Sequence, residues 1–397
     1  MPARAPNALR LAMFWLGVQA VWGALLGISL QSRSLELAGG NALVAYGRLA
    51  TAGALVAAIT QVLVGFWSDA RRRRGSRRVE FYIVGAIVGC AALALFYGAR
   101  TLLDLTIALL LLQAALNVAI GPYQAIIPDF VEPSSTGAAS SWMAALQGAG
   151  NAIGALAASF IVNGRALAAT LGAMVIGTAA ITVTHIRAFP LRETVVSGVP
   201  AHRRAFVDLF ISRALVYVGF YTLLGYLLFY VGGVLGNGDP TTVRRTTGIV
   251  IVAFTLVGAI GALIAARPSD RLDKRLVATV GGAGFVLALG LFIGSSTLGA
   301  IGAATVVAGL GWGVFLVADW AIACRVLPQN AMAAAMGIWN LAIVGPQIVA
   351  PALTTLVLVQ LKMANQPSAP RVAFALALIE TSLGIAWLWR LSRCVIR

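Results

Sequence analysis

"GFWSDARRRRGSRR", Gly65 to Arg78, decides how this chain is read. Six arginines and one aspartate crowd into 14 positions, while the sequence on both sides is almost wholly apolar. A short basic loop between two stretches of hydrocarbon length is what a membrane-spanning chain shows where it emerges into water. The composition of the whole chain agrees. Of 397 residues, 60% are apolar and only 11% charged, and the mean hydropathy is +0.90. Soluble domains run at about 45–50% apolar and about 25% charged. A chain whose outer surface faces lipid has no need of that charge. A soluble enzyme or binding domain is excluded on these grounds.

A helix needs about 20 apolar residues to cross the hydrocarbon. That length picks out twelve spans, at 9–30, 42–68, 79–98, 103–128, 138–163, 167–187, 206–235, 246–267, 277–296, 298–326, 333–359 and 370–391. The first is too long for a signal-peptide core and is expected to be retained. The net charge of +16 is topological rather than a mark of nucleic-acid binding. About twenty Lys/Arg fall on the side of the termini and even-numbered loops and about seven on the other, which places both termini in the cytoplasm. The longest polar interruption, "RAFPLRETVVSGVPAHRRAF" from Arg187 to Phe206, lies mid-chain. It divides the sequence into a six-helix half over 1–187, a cytoplasmic linker over 188–205 and a second six-helix half over 206–397. Two near-equal halves suggest structural repeats with a site at the midplane between them. Cys90, Cys324 and Cys394 are widely spaced, and with only His185 and His202 they make no metal-ligand pattern. Neither a metal nor a cofactor is expected. Glycines recur at helical spacing in "GAGNAIGALAAS", Gly148 to Ser159, where small residues let helices approach closely in lipid.

The loop resembles the signature of the major facilitator superfamily, a glycine, an aspartate four residues on, and basic residues beyond, here Gly65, Asp69, Arg73 and Arg74. A second copy, "AARPSDRLDKR", places Asp270, Lys274 and Arg275 at the matching spacing about 200 residues later, with Ala266 in place of the glycine. The resemblance implies an all-α membrane protein with twelve transmembrane helices in two pseudo-symmetric six-helix halves, working by alternating access. In physical terms, Gly65 permits close helix approach. Asp69 can face the positive N-terminus of a helix in the opposite half, near 330–335, and hold one side shut. The arginines can reach anionic lipid headgroups.

A narrower resemblance runs to proton-coupled sucrose transporters and their glycoside-transporting relatives. "GIWNLAIVGPQIVAP", Gly337 to Pro351, and "GPYQAIIPD", Gly121 to Asp129, carry it. Gln124 departs from the pattern, because plant sucrose members have an arginine there.

Charge inside the predicted spans is the remaining signal, since a charged group at mid-bilayer costs at least about 2.5–3.5 kcal/mol and is retained for a purpose. Asp319 and Arg213 fall on spans that line the cavity in this family, and they read as a proton-coupling pair, with Asp129 as a third member. Arg48 also falls within a span. Glu380, on a peripheral span, reads as a helix-packing or lipid-boundary residue. Gln19, Gln124, Asn340 and Gln347 can hydrogen-bond a polyol, and Trp22, Tyr123, Tyr221 and Trp339 can stack on its apolar face. The expected protein is a monomeric multi-pass transporter of the cytoplasmic membrane, carrying a sugar or glycoside with protons, with sodium left open as the coupling ion. Its partners are that small molecule, the ion and membrane lipid. The alternatives are proton-driven efflux of small amphipathic compounds and a non-transporting role in lipid or pigment delivery.

Overall fold

The computed structural model describes residues 6–132, 136–191, 203–236, 238–326 and 332–391. All regular structure among them is helical. The chain begins with α1 (Ala8–Ala24), which runs through a π turn at Leu25–Ser29 into α2 (Leu30–Ala38). A short 3-10 turn at Gly39–Asn41 leads to α3 (Ala42–Arg73). Then follow α4 (Val79–Gly98), α5 (Leu102–Tyr123), the five-residue α6 (Ile126–Phe130), α7 (Thr136–Phe160) and α8 (Gly164–Arg187). After the linker come α9 (Arg203–Val234), α10 (Pro240–Arg271), α11 (Lys274–Gly294), α12 (Leu298–Val326), α13 (Met332–Gln360) and α14 (Ala369–Leu388). Of the expected linker, residues 192–202 lie outside the described residues.

Local chemistry sets the helix starts. Thr101 and Asp104 form a reciprocal capping box at α5, and Asn7, Asn163, Asp239 and Asp273 each accept a backbone N–H at the starts of α1, α8, α10 and α11. Each cap satisfies an N–H that lacks an intrahelical partner. Helix α5 carries Pro122 next to its last residue, and the chain turns at Gln124 before α6. That break ends the fourth predicted span before Asp129.

Among the described residues, ten helical stretches are long and apolar enough to cross a membrane. The first, Ala8–Arg73, is 66 residues long, which at 1.5 Å per residue is roughly 100 Å, about three times the hydrocarbon thickness. It is interrupted at Gly39, whose φ is +51°. The protein is therefore an all-helical, multi-pass membrane protein.

The chain divides into two compact units, one of residues 1–39 and 52–195, the other of residues 40–51 and 196–397. In the first, α1 packs on α7 and α8, and α4 on α5 and α8. Gly154 of α7 lies against the Ala20 carbonyl of α1, so close that a Cβ would collide with it. This is the small-residue packing expected of the "GAGNAIGALAAS" run. In the second, α9 packs on α14 and α13, α12 on α10 and α11, and α11 on α14.

Candidate functional site

In the second unit, α9 carries Arg213, Tyr217 and Tyr221 at intervals of four, which places all three on one helix face. Arg213 pairs with Asp319 of α12. Both are buried, at 3% exposure each. The guanidinium is further enclosed by aromatic rings, lying 4.6 Å from the Trp339 centroid and 4.9 Å from that of Tyr217. Such contacts strengthen as water is excluded. Tyr217 also packs edge-on to Trp312 at 5.2 Å, and Phe220 stacks on Trp312 at 4.4 Å and 12°. Next along the face, Gln347 of α13 donates through Nε2 to the Tyr221 hydroxyl at 2.8 Å. The structure thus gathers Arg213, Asp319, Tyr221, Trp339 and Gln347 into one polar and aromatic cluster, buried at Arg213, Asp319 and Trp339 and half-buried at Tyr221 and Gln347. Tyr217, Phe220 and Trp312 belong to it and were not singled out in the sequence. The four-residue spacing after Arg213 was the signal that could have found Tyr217. The side chain of Asn340 lies outside the described residues.

The first unit holds the remaining ligand candidates. Gln19 and Trp22 sit on a stripe of α1, with Met13 and Leu16, that continues to Leu26 of the π turn and whose members are half-buried while most of their neighbours are buried. Gln124 is half-buried at the end of α5. Tyr123 is fully buried, packs edge-on to Phe14 at 5.2 Å, and donates its hydroxyl to the Leu11 carbonyl at 2.6 Å. That is the environment of a packing residue. Sequence reading passed over another polar group in this unit. Gln61 donates to Asn117 Oδ1 at 2.6 Å, and Asn117 donates to the Gln113 carbonyl at 2.7 Å, joining α3 to α5.

The signature loop builds a second charged cluster, also in the first unit. Gly75 takes φ +88°, a conformation that a side chain resists, and it lets the chain reverse between α3 and α4. Arg78 follows at φ +62°, an uncommon backbone for a residue with a Cβ. It is held there from three directions. Its guanidinium meets Asp69 Oδ1 at 2.9 Å and Asp129 Oδ2 at 3.0 Å, and donates to Ser68 Oγ at 2.9 Å. Asp129, only 1% exposed, also receives Arg72 Nε at 3.1 Å. Burial pushes the Asp129 carboxyl above the ordinary range, and the guanidiniums of Arg78 and Arg72 pull it back down. Asp129 therefore sits with the loop.

Three details of the loop differ from the sequence reading. Among the described residues nothing lies within 4 Å of where a Cβ on Gly65 would stand, so no close helix approach is made there. Arg73 and Arg74 are exposed, and the ion pairs to Asp69 and Asp129 go instead to Arg72 and Arg78, because the α3 terminus and the turn at Gly75 aim those two inward, while Arg71 pairs with Glu80. Asp69 is paired with Arg78, while residues 330–331 of the expected latch partner lie outside the described residues.

The second copy is wired differently. Asp273 caps α11 and holds Arg275, with Nη2 to Oδ2 at 2.8 Å. Arg275 Nη1 donates to the Leu391 carbonyl at 2.6 Å, and its guanidinium lies 5.1 Å from the Trp389 ring centroid. Lys274 is buried, and the side chain of Asp270 lies outside the described residues.

Two other charges in predicted spans are placed. Arg48 is exposed. Glu380 is 7% exposed and packed among α9, α13 and α14, so it is not at the lipid boundary. Among the described residues no cluster of His, Cys, Asp and Glu could hold a metal ion.

The sequence profile described as Major Facilitator Superfamily matches residues 7–351. The chain belongs to the major facilitator superfamily. Solved structures agree on the fold. A bacterial homolog of the human lysosomal transporter Spinster, inward-facing and unoccupied, superposes with a TM-score of 0.77 at 14% identity, covering 98% of this chain and 96% of that one. The nucleoside transporter NupG superposes with a TM-score of 0.68 at 13% identity, covering 96% of this chain and 98% of that one. At such identities the major facilitator fold is what is shared. No curated protein sequence matches the chain.

Proposed function

We propose that this protein is a secondary active transporter that works by alternating access and moves a sugar or glycoside together with protons across the cytoplasmic membrane. In this reading it has twelve spans in two pseudo-symmetric halves, both termini in the cytoplasm, and the basic loops at 71–78 and 267–275 on the same side. The 66-residue stretch Ala8–Arg73 supplies the first two spans, and α7 the fifth.

The observation that carries the reading is the buried Arg213–Asp319 pair. Removing one partner of a buried pair leaves an uncompensated charge, at a cost of about 3–5 kcal/mol. Protonating Asp319 does the same to Arg213, so proton arrival and a rearrangement of α9 against α12 are energetically linked. Tyr221 and Gln347, hydrogen-bonded to each other about two turns further along α9 from Arg213, supply the donors and acceptors a polyol needs. Gln19, half-buried on α1, can hydrogen-bond a polyol, and Trp22 can stack on its apolar face. The resemblance of 337–351 and 121–129 to sucrose and glycoside carriers names the substrate class. Asp69, the residue of the signature loop, acts as the latch of the cytoplasmic gate.

A screen of sugars, amphipathic drugs and lipids for stabilisation of the purified protein identifies the ligand. Proton-driven uptake of that ligand in proteoliposomes, beside its counterflow, then tests the mechanism. Asp319→Asn is expected to abolish uphill accumulation and retain counterflow. Accumulation equal to the parent's would remove Asp319 as the coupling residue. The aromatic cluster of Tyr217, Phe220 and Trp312 favours a second reading, export of small amphipathic compounds, and the screen separates the two.

A further inference from the structure

We propose that Glu380 is a second proton-binding site, embedded in the seam between α9, α13 and α14 and separate from the Arg213–Asp319 pair. The inference rests on the reading of the protein as a proton-coupled transporter, but it concerns different residues and a different readout.

Glu380 is an acid of the second unit, set within a membrane-length helix, that the mechanism leaves unused. It is 7% exposed. Thr222 Oγ1 of α9 lies 3.4 Å from its Oε2, and its Oε1 is buried with no hydrogen-bond partner among the described residues. Hydroxyl hydrogen bonds to oxygen run at about 2.5–3.0 Å, so 3.4 Å is a weak contact. No ion pair to Glu380 occurs among the described residues.

The groups on the surrounding helices give it no countercharge. On α9, Arg213 stands nine residues before Thr222, roughly 13 Å along the axis, and is engaged by Asp319. Asp208 is bonded to Trp387, and the Tyr226 hydroxyl lies 3.1 Å from Thr355 Oγ1, with the Tyr46 ring beside it. Helix α13 contains no titratable residue from Met332 to Gln360. On α11 the basic residues are Lys274 and Arg275 at its start, with Arg275 on Asp273. On α14 itself, Arg371 lies nine residues earlier and donates to the Ser295 carbonyl.

A bare carboxylate in such a place carries a desolvation penalty of several kcal/mol with nothing to offset it. A neutral carboxylic acid carries far less, and it gains an O–H to donate. The Thr222 hydroxyl is placed to accept that O–H. Thr222 Oγ1 lies 3.3 Å from Thr354 Oγ1, and Thr381 Oγ1, beside Gly219 of α9, is buried without a partner among the described residues. The proton completes this set of hydroxyls, and its loss leaves a charge that only water entering between α9 and α14 can solvate. Glu380 thus ties proton occupancy to the packing of the helix that carries Arg213.

The test is infrared difference spectroscopy on the full chain in sodium-free proteoliposomes, stepped from acid to alkaline pH. The parent is expected to show the carbonyl stretch of a protonated carboxyl that disappears as pH rises. Glu380→Gln is expected to lose that band, and Asp319→Asn to retain it. Because Asp129 can contribute a carboxyl band of its own, the reading is the parent-minus-Glu380→Gln difference: a difference without a carboxyl band, or one that does not respond to pH, overturns the proposal. Loss of the band on adding sodium at constant pH also overturns it, by assigning the site to a metal ion. If Glu380→Gln does not fold, Glu380→Asp serves in its place, because the shorter acid should shift the band without removing it. Since Asp319→Asn is scored in the same spectra, failure of the Asp319 coupling scheme leaves the result at Glu380 readable.

Discussion

The two copies of the signature loop have similar sequences and different physics. In the first, an arginine joins two acids from two elements, since Arg78 meets Asp69 at the end of α3 and Asp129 in α6, and Arg72 closes on Asp129 as well. In the second, the arginine has one acid, its near neighbour Asp273, and its distant partners are neutral, the Leu391 carbonyl and the Trp389 ring. The first copy fixes its neighbours through buried charge and is therefore sensitive to protonation. The second fixes them through a carbonyl and an aromatic face, which do not titrate. The same motif can thus make one loop a switchable element and the other a fastener.

The largest expected effect is in the first copy. Arg78→Ala leaves the buried Asp129 with Arg72 alone and should cost about 3–5 kcal/mol of stability, read as a fall in melting temperature in detergent micelles. The loss should grow as pH rises, because the ionised carboxylate is the species left uncompensated. A loss no larger than that of the second-copy variant would erase the contrast. That variant, Arg275→Ala, gives up hydrogen bonds from a charged donor to Asp273 and Leu391, worth about 1.5–3 kcal/mol, and its loss should be independent of pH over the neutral range.

Asp129 sharpens the comparison further. Its carboxyl is raised by burial against the pull of Arg78 and Arg72, so the folded protein holds this proton more tightly than the unfolded chain does. Its contribution is full below the ordinary carboxylate value of about 3.9 and is lost as pH rises through the raised value. Asp129→Asn cannot titrate and should flatten the fall in stability across that acid window. An unchanged slope would place the titrating group elsewhere. The smallest effect belongs to Asp69, whose side chain is 57% exposed. Asp69→Asn should change stability by roughly 0–1 kcal/mol, yet shift the conformer population and transport if it is the latch. Unchanged spin-label distance distributions across the gate, with unchanged transport, would reject that role.

The sequence alone was enough for the solvent, the all-helical class and the family. Hydrophobic length, low charge and the repeated loop are local or compositional properties, and each persists whatever the tertiary arrangement. It also placed Arg213 and Asp319 as partners, because two opposite charges in apolar spans have few ways of lowering their cost other than meeting. Tertiary structure decided which arginines of a run of six do the pairing. The turn at Gly75 and the left-handed backbone at Arg78 aim residues that spacing alone leaves equivalent. It set Asp129 beside the loop, because the break after Pro122 carries it into α6, where Arg72 and Arg78 meet it. It put Tyr123 in the packing of the first unit and Glu380 inside the second, away from lipid. A one-dimensional pattern says that a residue lies on a helix in the membrane. Which neighbour its face meets depends on helix rotation and packing, and those are set by contacts far apart in the chain.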